Sequence, residues 1–256
     1  MIDERAVIDP SARLADDVEV GPFAVVGADV EIGAGTRIGA HAVVRGPTRI
    51  GRDNNIFQFA SVGEDPQDKK YGGERTWLEI GDANTIREYC TINRGTVQAG
   101  GVTRIGNDNW IMAYVHIAHD CQVGNGTIFA NSASLAGHVR VEDFAILGGF
   151  TLVHQFCAVG AYAFTGMGSG ISKDVLPYLM VSGNPARPHG LNTEGLRRHG
   201  FSGQQIDCLK RAYKTVYRSG LTLEQAGGRL DEQLGECPAV QRWVEFLVRQ
   251  TRGIVR

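Results

Sequence analysis

Hydrophobic residues return at a six-residue interval through the first three quarters of the chain. An aliphatic residue occupies every sixth position from Ile8 to Val62, often followed by glycine, and a small or β-branched residue comes four places after it. The interval resumes at Ile80–Ile92 and again at Ile105–Ile171. A period of six matches neither an α-helix nor a simple amphipathic strand. It predicts a solenoid in which each hexad forms one short parallel strand and one corner.

Three hexads would complete one triangular coil, with the aliphatic side chains inside it. The glycines are expected to relieve corners of positive φ. The register is lost twice, at residues 64–79 and 98–104, and we expect both segments to leave the solenoid as loops. Loops of this kind often carry functional residues. Residues 1–190 are therefore predicted to form an all-β solenoid.

The remaining residues, 191–256, follow a helical pattern. Ser202 and Gln205 have the spacing of a capping box, the segment "TLEQ" repeats that spacing, and Pro238 opens a further amphipathic run. We predict a C-terminal α-helical domain. This segment contains eleven Lys or Arg and seven Asp or Glu, so it is locally basic in an otherwise acidic chain.

Composition excludes several classes of function. A net charge of −2 gives no reason to expect nucleic acid or a polybasic membrane patch as partner. No apolar run is long enough to form a transmembrane segment, and the first residues do not resemble a signal peptide. The five cysteines show no CxxC pair and no dense disulfide framework. The simplest expectation is a cytoplasmic protein.

The solenoid register gathers histidines at one corner. With three hexads per coil, residues 18 apart should stack about 4.8 Å from each other, the usual spacing of strands. Gly137 then lies above His119, and His138 lies above Asp120. The residues of this stripe are His119, Asp120, Gly137, His138, His154 and Gln155. We expect them to project from the corner rather than into the core.

The residue types in the stripe indicate acyl transfer. A histidine such as His119 can remove a proton from a hydroxyl, and Asp120 could fix its tautomer and stabilise the imidazolium. Gly137 has no side chain, so its N–H could donate to a tetrahedral oxyanion. The stripe contains no serine or cysteine as an acyl acceptor, which favours direct transfer.

Sequence motifs add a resemblance at two levels. The hexads resemble those of the hexapeptide-repeat transferases, whose fold is a left-handed parallel β-helix. More specific are "HIAHDC", "LAGHV", "GGFTLVHQFCAVGA", "RDNNIFQFASVGEDPQDKKY", "LNTEGLRRHGF" and "QTRGIVR". These motifs span the chain and resemble the UDP-N-acetylglucosamine O-acyltransferases, the family that begins lipid A assembly.

The resemblance implies a reaction with no metal and no cofactor of the enzyme's own. The donor would be an (R)-3-hydroxyacyl group on the phosphopantetheine of acyl carrier protein, and the acceptor the glucosamine 3-hydroxyl of UDP-N-acetylglucosamine. His119 would be the general base, Asp120 its partner and Gly137 the oxyanion donor. The family also implies a homotrimer with sites between subunits, in which the basic tail docks the carrier protein.

The resemblance further implies residues that contact the substrates. They are His116, His138, His154 and Gln155 around the sugar and the acyl-phosphopantetheine, Asp68 and Lys70 from the first loop, and Asn192, Glu194 and Arg198 at the nucleotide. Two positions depart from the family pattern. His199 stands where a second arginine is usual, and Met167 stands where long-chain members carry glycine. A methionine there predicts a shorter acyl groove and a preference for 3-hydroxydecanoyl over 3-hydroxymyristoyl donors.

Three alternatives stay open from the sequence. Another hexapeptide-repeat acyltransferase would share the repeat, although the N-acyltransferase that acts later in the same pathway carries an extra domain before its hexads. A zinc-dependent enzyme like the γ-class carbonic anhydrases would use the histidines as ligands, but His116 and His119 do not share one helical face as in an HExxH site. A non-catalytic scaffold would not need the stripe.

Overall fold

Short strands, most of them two residues long, form the three faces of a triangular solenoid. The computed structural model describes residues 1–234, 237–250 and 252–256. Strands are numbered β1 to β27 along the chain. Sheet 1 contains β1 (Val7–Ile8), β4 (Val25–Val26), β7 (Val43–Val44), β10 (Ser61–Glu64), β13 (Thr91–Asn93), β16 (His116–Ile117), β19 (Ser134–Leu135), β22 (Leu152–Val153) and β25 (Gly170–Ile171).

The other two faces repeat this arrangement. Sheet 2 contains β2 (Arg13–Leu14), β5 (Val30–Ile32), β8 (Thr48–Ile50), β11 (Trp77–Ile80), β14 (Val102–Ile105), β17 (Gln122–Val123), β20 (Arg140–Val141) and β23 (Ala158–Val159). Sheet 3 contains β3 (Glu19–Val20), β6 (Arg37–Ile38), β9 (Asn55–Ile56), β12 (Thr85–Ile86), β15 (Trp110–Ile111), β18 (Ile128–Phe129), β21 (Ile146–Leu147), β24 (Phe164–Thr165), β26 (Leu179–Ser182) and β27 (Arg187–Leu191).

Strands pair in parallel from coil to coil. Their register confirms the prediction that three six-residue repeats form one coil. Leu135 lies on Ile117 and Val153 lies on Leu135, so residues 18 apart stack. All three side chains are buried inside the prism, as the aliphatic pattern predicts. The predicted fold class, a left-handed parallel β-helix with a C-terminal helical region, is confirmed.

The three corners differ in character and are named by the sheets they join. The first corner leads from sheet 1 to sheet 2, the second from sheet 2 to sheet 3, and the third from sheet 3 back to sheet 1. At the first corner Asp120, His138 and Phe156 adopt left-handed backbone with φ of 63°, 64° and 65°. The positive-φ corners are thus occupied largely by non-glycine residues, and the expectation that glycines serve them holds only at a minority, such as Gly35 and Gly126.

Glycines that follow the buried aliphatic residues are required by close packing of successive coils instead. A Cβ on Gly106 would lie 2.6 Å from the carbonyl oxygen of Gly124 on the next coil. A Cβ on Gly33 would lie 2.7 Å from the carbonyl oxygen of Gly51 in the same way. Both distances are too short for a non-bonded contact, so a side chain at either position would push the coils apart.

A ladder of buried asparagines runs up the second corner. The Oδ1 atom of Asn54 accepts from the Nδ2 of Asn84 at 3.0 Å, and the Oδ1 of Asn84 accepts from the Nδ2 of Asn109 at 2.8 Å. Each Oδ1 also accepts the backbone N–H of the next asparagine at 3.0 Å. These steps span 30 and 25 residues rather than 18, because both loops lie within them. The ladder therefore holds the coils in register across the two insertions.

Both loops leave the solenoid at the first corner. The first loop, residues 65–76, joins β10 to β11, and the second loop, residues 94–101, joins β13 to β14. They differ in extent from the expected 64–79 and 98–104, since residues 77–80 and 102–105 are already paired strands of sheet 2.

One arginine ties the two loops together at their base. Arg94 is nearly buried and forms an ion pair with Asp65 of the first loop. Its guanidinium also donates to the hydroxyl of Tyr71 at 3.3 Å. The two loops thus form one ordered layer over the first corner.

Helices cover the C-terminal end of the solenoid. They are α1 (Thr193–Arg198), α2 (Gly203–Arg218), α3 (Leu223–Leu234) and α4 (Pro238–Arg249). The capping box of Ser202 and Gln205 is present at the start of α2, as predicted. Strand β27 folds back antiparallel onto β26, and the buried indole of Trp243 in α4 donates to the carbonyl oxygen of Pro177 at 2.8 Å. Among the described residues, no helix has the length and apolar character needed to span a membrane.

Candidate active site

A histidine–aspartate pair occupies the first corner. The Nδ1 atom of His119 lies 2.7 Å from Oδ2 of Asp120. A carboxylate is an acceptor, so Nδ1 carries the proton and donates, which leaves Nε2 unprotonated in the neutral ring. The His119 side chain is 12% exposed and that of Asp120 only 1%. The imidazole is the part of the pair that a substrate can reach.

Asp120 does not project into solvent as expected, because the second loop covers it. The Thr96 N–H donates to Oδ1 at 2.7 Å, and the Thr96 hydroxyl donates to Oδ2 at 2.7 Å. The Asp120 N–H in turn donates to the hydroxyl of Thr103 at 2.8 Å. Burial opposes ionisation of Asp120, but the hydrogen bonds from His119 and Thr96 outweigh it and hold the pKa of this carboxyl below its ordinary value.

Gly137 lies directly against the imidazole of His119. A Cβ at this position would come within 2.5 Å of Cε1 and 2.8 Å of Nε2 of that ring. Among the described residues, the Gly137 N–H donates to no protein acceptor. A free backbone donor therefore lies beside the basic nitrogen, which is the juxtaposition that the stacking arithmetic predicts.

The second histidine of the stripe packs beside the pair. The ring of His138 meets that of His119 edge to face with centroids 5.1 Å apart, and its Nδ1 lies 3.7 Å from Oδ2 of Asp120. The exposed ring of Phe156 stacks on His138 at 4.4 Å. Burial lowers the pKa of His138, although the carboxylates of Asp120 and Asp68 act in the opposite direction. Burial thus favours the neutral ring of His138, which can accept or donate a hydrogen bond.

Other predicted residues lie around this centre with fewer contacts. Asp68 in the first loop is half-buried, and its carboxylate acts electrostatically on His138. Lys70 is exposed on the same loop. On sheet 1, His116 places Nδ1 2.7 Å from the Thr91 hydroxyl, and burial, with a smaller contribution from His119, lowers its pKa. His154 and Gln155 are exposed at the first corner, one coil above Gly137.

The residues predicted at the nucleotide lie elsewhere on the chain. Asn192 caps α1 and donates from Nδ2 to the carbonyl oxygen of Tyr162 at 3.0 Å, which places it at the second corner. Glu194 accepts from Arg197 at 2.6 Å, and Arg198 is exposed on the same helix. One chain therefore does not bring these side chains to His119.

Two further predicted positions are also away from the first corner. The ring of His199 lies 4.9 Å from that of Phe144 and 5.0 Å from that of Tyr162, so it packs in an aromatic cluster at the second corner. Met167 is 81% exposed at the third corner. Its coil lies directly above that of Gly149, whose carbonyl oxygen accepts from the N–H of Gly168 at 2.8 Å.

The residues that support the stripe could not all be placed from the sequence pattern. Thr96 lies in an insertion, so counting by 18 cannot place it beside Asp120. Thr103 lies in the segment 98–104, where the six-residue register is lost and a loop is expected, and Phe156 lies one coil above His138. The position of Phe156 could have been predicted from the sequence, because it lies 36 residues, or two coils, after Asp120.

A zinc site at the same place fits the geometry poorly. His119, Asp120 and His138 offer ligand atoms that all lie within 4.8 Å of one another. Two ligands of a tetrahedral zinc, each about 2.0–2.2 Å from the metal, lie roughly 3.3 Å apart. The 2.7 Å between Nδ1 of His119 and Oδ2 of Asp120 is a hydrogen bond instead, and Thr96 already occupies both carboxylate oxygens.

Cysteine nucleophiles are also disfavoured at this corner. Cys121 follows the dyad directly but is buried in the prism, and burial raises the pKa of its thiol to about 12. Cys90 and Cys157 are buried as well, and burial raises the pKa of each thiol to about 11. The imidazole of His119 is therefore a more accessible reactive group at this corner than the thiol of Cys121.

Comparisons with known proteins agree over the whole chain. The family model described as UDP N-acetylglucosamine O-acyltransferase, domain 2, matches residues 174–255, and that of the bacterial transferase hexapeptide matches residues 11–46 and 103–137. The acyl-[acyl-carrier-protein]–UDP-N-acetylglucosamine O-acyltransferase of Thiobacillus denitrificans is 65% identical over 98% of this chain and 97% of its own.

Solved structures show the same similarity. LpxA from Acinetobacter baumannii superposes with a TM-score of 0.98 at 51% identity, covering 100% of this chain and 99% of its own. The UDP-N-acetylglucosamine acyltransferase of Francisella novicida gives a TM-score of 0.98 at 43% identity, covering 100% of this chain and 94% of its own.

Proposed function

The chain belongs to the UDP-N-acetylglucosamine O-acyltransferase family and is an acyltransferase, and from this premise we propose its reaction and mechanism. It transfers an (R)-3-hydroxyacyl group, with 3-hydroxydecanoyl preferred, from acyl carrier protein to the glucosamine 3-hydroxyl of UDP-N-acetylglucosamine, the first step of lipid A biosynthesis. The observation that carries the mechanism is the hydrogen bond between the accessible His119 and the buried Asp120, beside the free N–H of Gly137.

Nε2 of His119 is the atom that takes the proton. The hydrogen bond from Nδ1 to Asp120 fixes this tautomer, so the basic lone pair faces away from the carboxylate. As Nε2 removes the proton of the sugar 3-hydroxyl, the oxygen attacks the thioester carbonyl carbon of the donor. The imidazolium that forms is stabilised by the ionised Asp120, and it then returns the proton to the departing phosphopantetheine thiolate.

Gly137 supplies the electrostatic part of the mechanism. Negative charge develops on the thioester oxygen during attack, and a backbone N–H that is not already used can donate to it. The absence of a side chain at Gly137 lets the His119 ring lie against this backbone. The base and the oxyanion donor are thereby held on adjacent coils of a rigid solenoid.

The complete site is proposed to form between subunits of a homotrimer. On one chain Asn192 and Arg198 lie at the second corner and Met167 at the third, whereas His119 lies at the first. A second copy could bring these corners together. Exposed rings on the solenoid, including those of Trp110 and Phe150, offer apolar surface for such contacts.

The proposed carrier protein, the lack of a cofactor requirement and the cytoplasmic location follow from the chemistry of the donor and of the side chains. The acyl group arrives on the phosphopantetheine of acyl carrier protein, so the enzyme requires no cofactor of its own, and the basic helical tail suits an acidic carrier. The five cysteines are free thiols, as a reducing cytoplasm would keep them.

A direct assay tests the proposed reaction. The wild-type protein is incubated with 3-hydroxydecanoyl-carrier protein and UDP-N-acetylglucosamine, and the O-acylated nucleotide sugar is measured by mass spectrometry. We expect product that forms equally well after dialysis against a zinc chelator. Failure to form product, together with bound zinc and hydration of carbon dioxide, would instead support the carbonic anhydrase alternative.

The chain-length proposal predicts a change in donor preference for Met167→Gly. Each buried methylene contributes about 0.8 kcal/mol, so the four extra methylenes of a 3-hydroxymyristoyl group would contribute up to about 3 kcal/mol once room is made for them. We expect kcat/KM for this donor, relative to 3-hydroxydecanoyl, to rise roughly tenfold to a hundredfold. Met167→Leu keeps the bulk and should keep the preference. Equal ratios in all three proteins would show that Met167 does not set chain length.

A further inference from the structure

The second loop has a structural relation to the dyad that the proposed reaction leaves unexplained. It emerges at the first corner one coil below His119, and Thr96 at its start is 2% exposed. The loop turns back on this residue, since the carbonyl oxygen of Thr96 accepts the N–H of Ala99 at 3.1 Å and of Gly101 at 2.9 Å. These hydrogen bonds within the loop therefore fix the backbone conformation of Thr96, independently of its contacts with the rest of the protein.

The base of the loop is held equally firmly. The N–H of Gly95 donates to the carbonyl oxygen of Trp77 at 3.1 Å, and the N–H of Trp77 donates to that of Gly101 at 2.7 Å. A Cβ on Gly95 would lie 2.2 Å from the backbone nitrogen of Val102, so the outgoing and returning arms pass within van der Waals contact. Sheet 2 thus fixes the direction in which Thr96 points.

Thr96 directs two donors at one carboxylate. Its N–H and its hydroxyl each donate to a different oxygen of Asp120 at 2.7 Å, and Thr103 on the returning strand accepts the Asp120 N–H at 2.8 Å. The side chain of Asp120 is 1% exposed, so water cannot replace these donors. A buried carboxylate without donors resists ionisation.

We propose that Thr96 is the positioning residue of the catalytic dyad, and that the second loop exists to hold the Asp120 carboxylate ionised and aimed at His119. The proposal rests on the general-base function of His119 given above. Thr96 touches no substrate in this account. It acts through Asp120, by fixing the rotation of the carboxylate so that Oδ2 faces Nδ1 of His119, and by supplying donors that water would supply at an exposed site.

Three variants separate this role from simple loss of a buried hydroxyl. Thr96→Val removes the hydroxyl and keeps the shape, while Thr96→Ser keeps the hydroxyl. Thr127→Val is the matched control, because the Thr127 hydroxyl is equally buried and donates to Oδ1 of Asn109 at 2.6 Å at the second corner. We expect kcat/KM to fall roughly tenfold to a hundredfold in Thr96→Val, as for loss of a hydrogen bond to a charged group, and to stay within threefold in the other two.

The pH dependence adds a second readout. The lost donor favours the protonated carboxyl, so the acidic limb of kcat/KM should move to higher pH in Thr96→Val and stay in place in Thr127→Val. The titratable groups around Asp120 are His119 and His138, with Asp68 acting on His138 from the first loop and His116 lying beside the dyad. All of them are retained in every variant, so a displaced limb reports on the dyad as a coupled pair.

A double-mutant cycle decides whether Thr96 works through Asp120. In an Asp120→Asn background the charge is gone, and adding Thr96→Val should cost less than about threefold. A full additional tenfold loss would overturn the positioning role, as would wild-type kinetics in Thr96→Val. If His119→Ala retains activity, the general-base function falls and the positioning role falls with it. If His119→Ala is inactive while Thr96→Val matches Thr127→Val, only the positioning role is overturned.

Discussion

His119→Ala is expected to reduce kcat/KM for acyl transfer by roughly two to four orders of magnitude, the range that general-base catalysis contributes. The variant keeps the fold, because the imidazole is a partly exposed corner group and not part of the aliphatic core. The measurement is initial rates with a saturating acyl-carrier-protein donor.

His189→Ala provides the control for this variant. His189 is exposed on β27, away from the first corner, and its removal should leave kcat/KM unchanged. A loss of less than tenfold in His119→Ala would contradict the mechanism, because positioning and oxyanion stabilisation alone would then account for the rate.

Gly137→Ala should be nearly as damaging, although it removes nothing that takes part in the reaction. The added Cβ would lie 2.5 Å from Cε1 and 2.8 Å from Nε2 of His119, so the ring must leave its place. Displacing a catalytic group by about 1 Å can cost a hundredfold, and we expect kcat/KM to fall by about that factor. The N–H of residue 137 is retained, so the loss reports on the displaced base.

Gly27→Ala separates this effect from a general intolerance of the solenoid to alanine. The nearest atom to a Cβ at Gly27 is the Val44 carbonyl oxygen at 3.4 Å, an acceptable contact, so this variant should keep both activity and melting temperature. Gly137→Ala should also melt close to wild type, since the imidazole can swing toward solvent. Full activity in Gly137→Ala would mean that His119 does not work from the observed rotamer.

The solenoid could be predicted from the sequence because its order is local and repeated. Each buried aliphatic residue, such as Ile117 or Leu135, lies in a hexad that repeats the same physical demand, and counting by 18 places His138 above Asp120. The reason why glycine is required after the aliphatic residues could not be predicted in this way. Glycine is required there because neighbouring coils pack closely, as between Gly106 and Gly124, and a sequence pattern does not contain this distance.

The site was only partly predictable, for a related reason. The arithmetic that pairs Gly137 with His119 fails where loops interrupt the count, so Thr96 could not be placed beside Asp120, and the burial of Asp120 was missed with it. The location of Asn192 at the second corner could not be predicted for a different reason. Its motif resembles the family's nucleotide-binding segment, but which corner the segment meets depends on how α1 docks on Tyr162.

The reversed strand at the end of the solenoid has a consequence for the behaviour of many copies. A stack of parallel strands has no inherent last coil, and an open edge on each sheet would allow chains to add end to end, as in a growing fibril. In sheet 3 the antiparallel β27 occupies the edge of β26, and Trp243 anchors α4 beside it at Pro177. The C-terminal region thus blocks the addition of further strands at this end of the solenoid. A fold built like the repeat of a fibril can therefore remain a discrete enzyme.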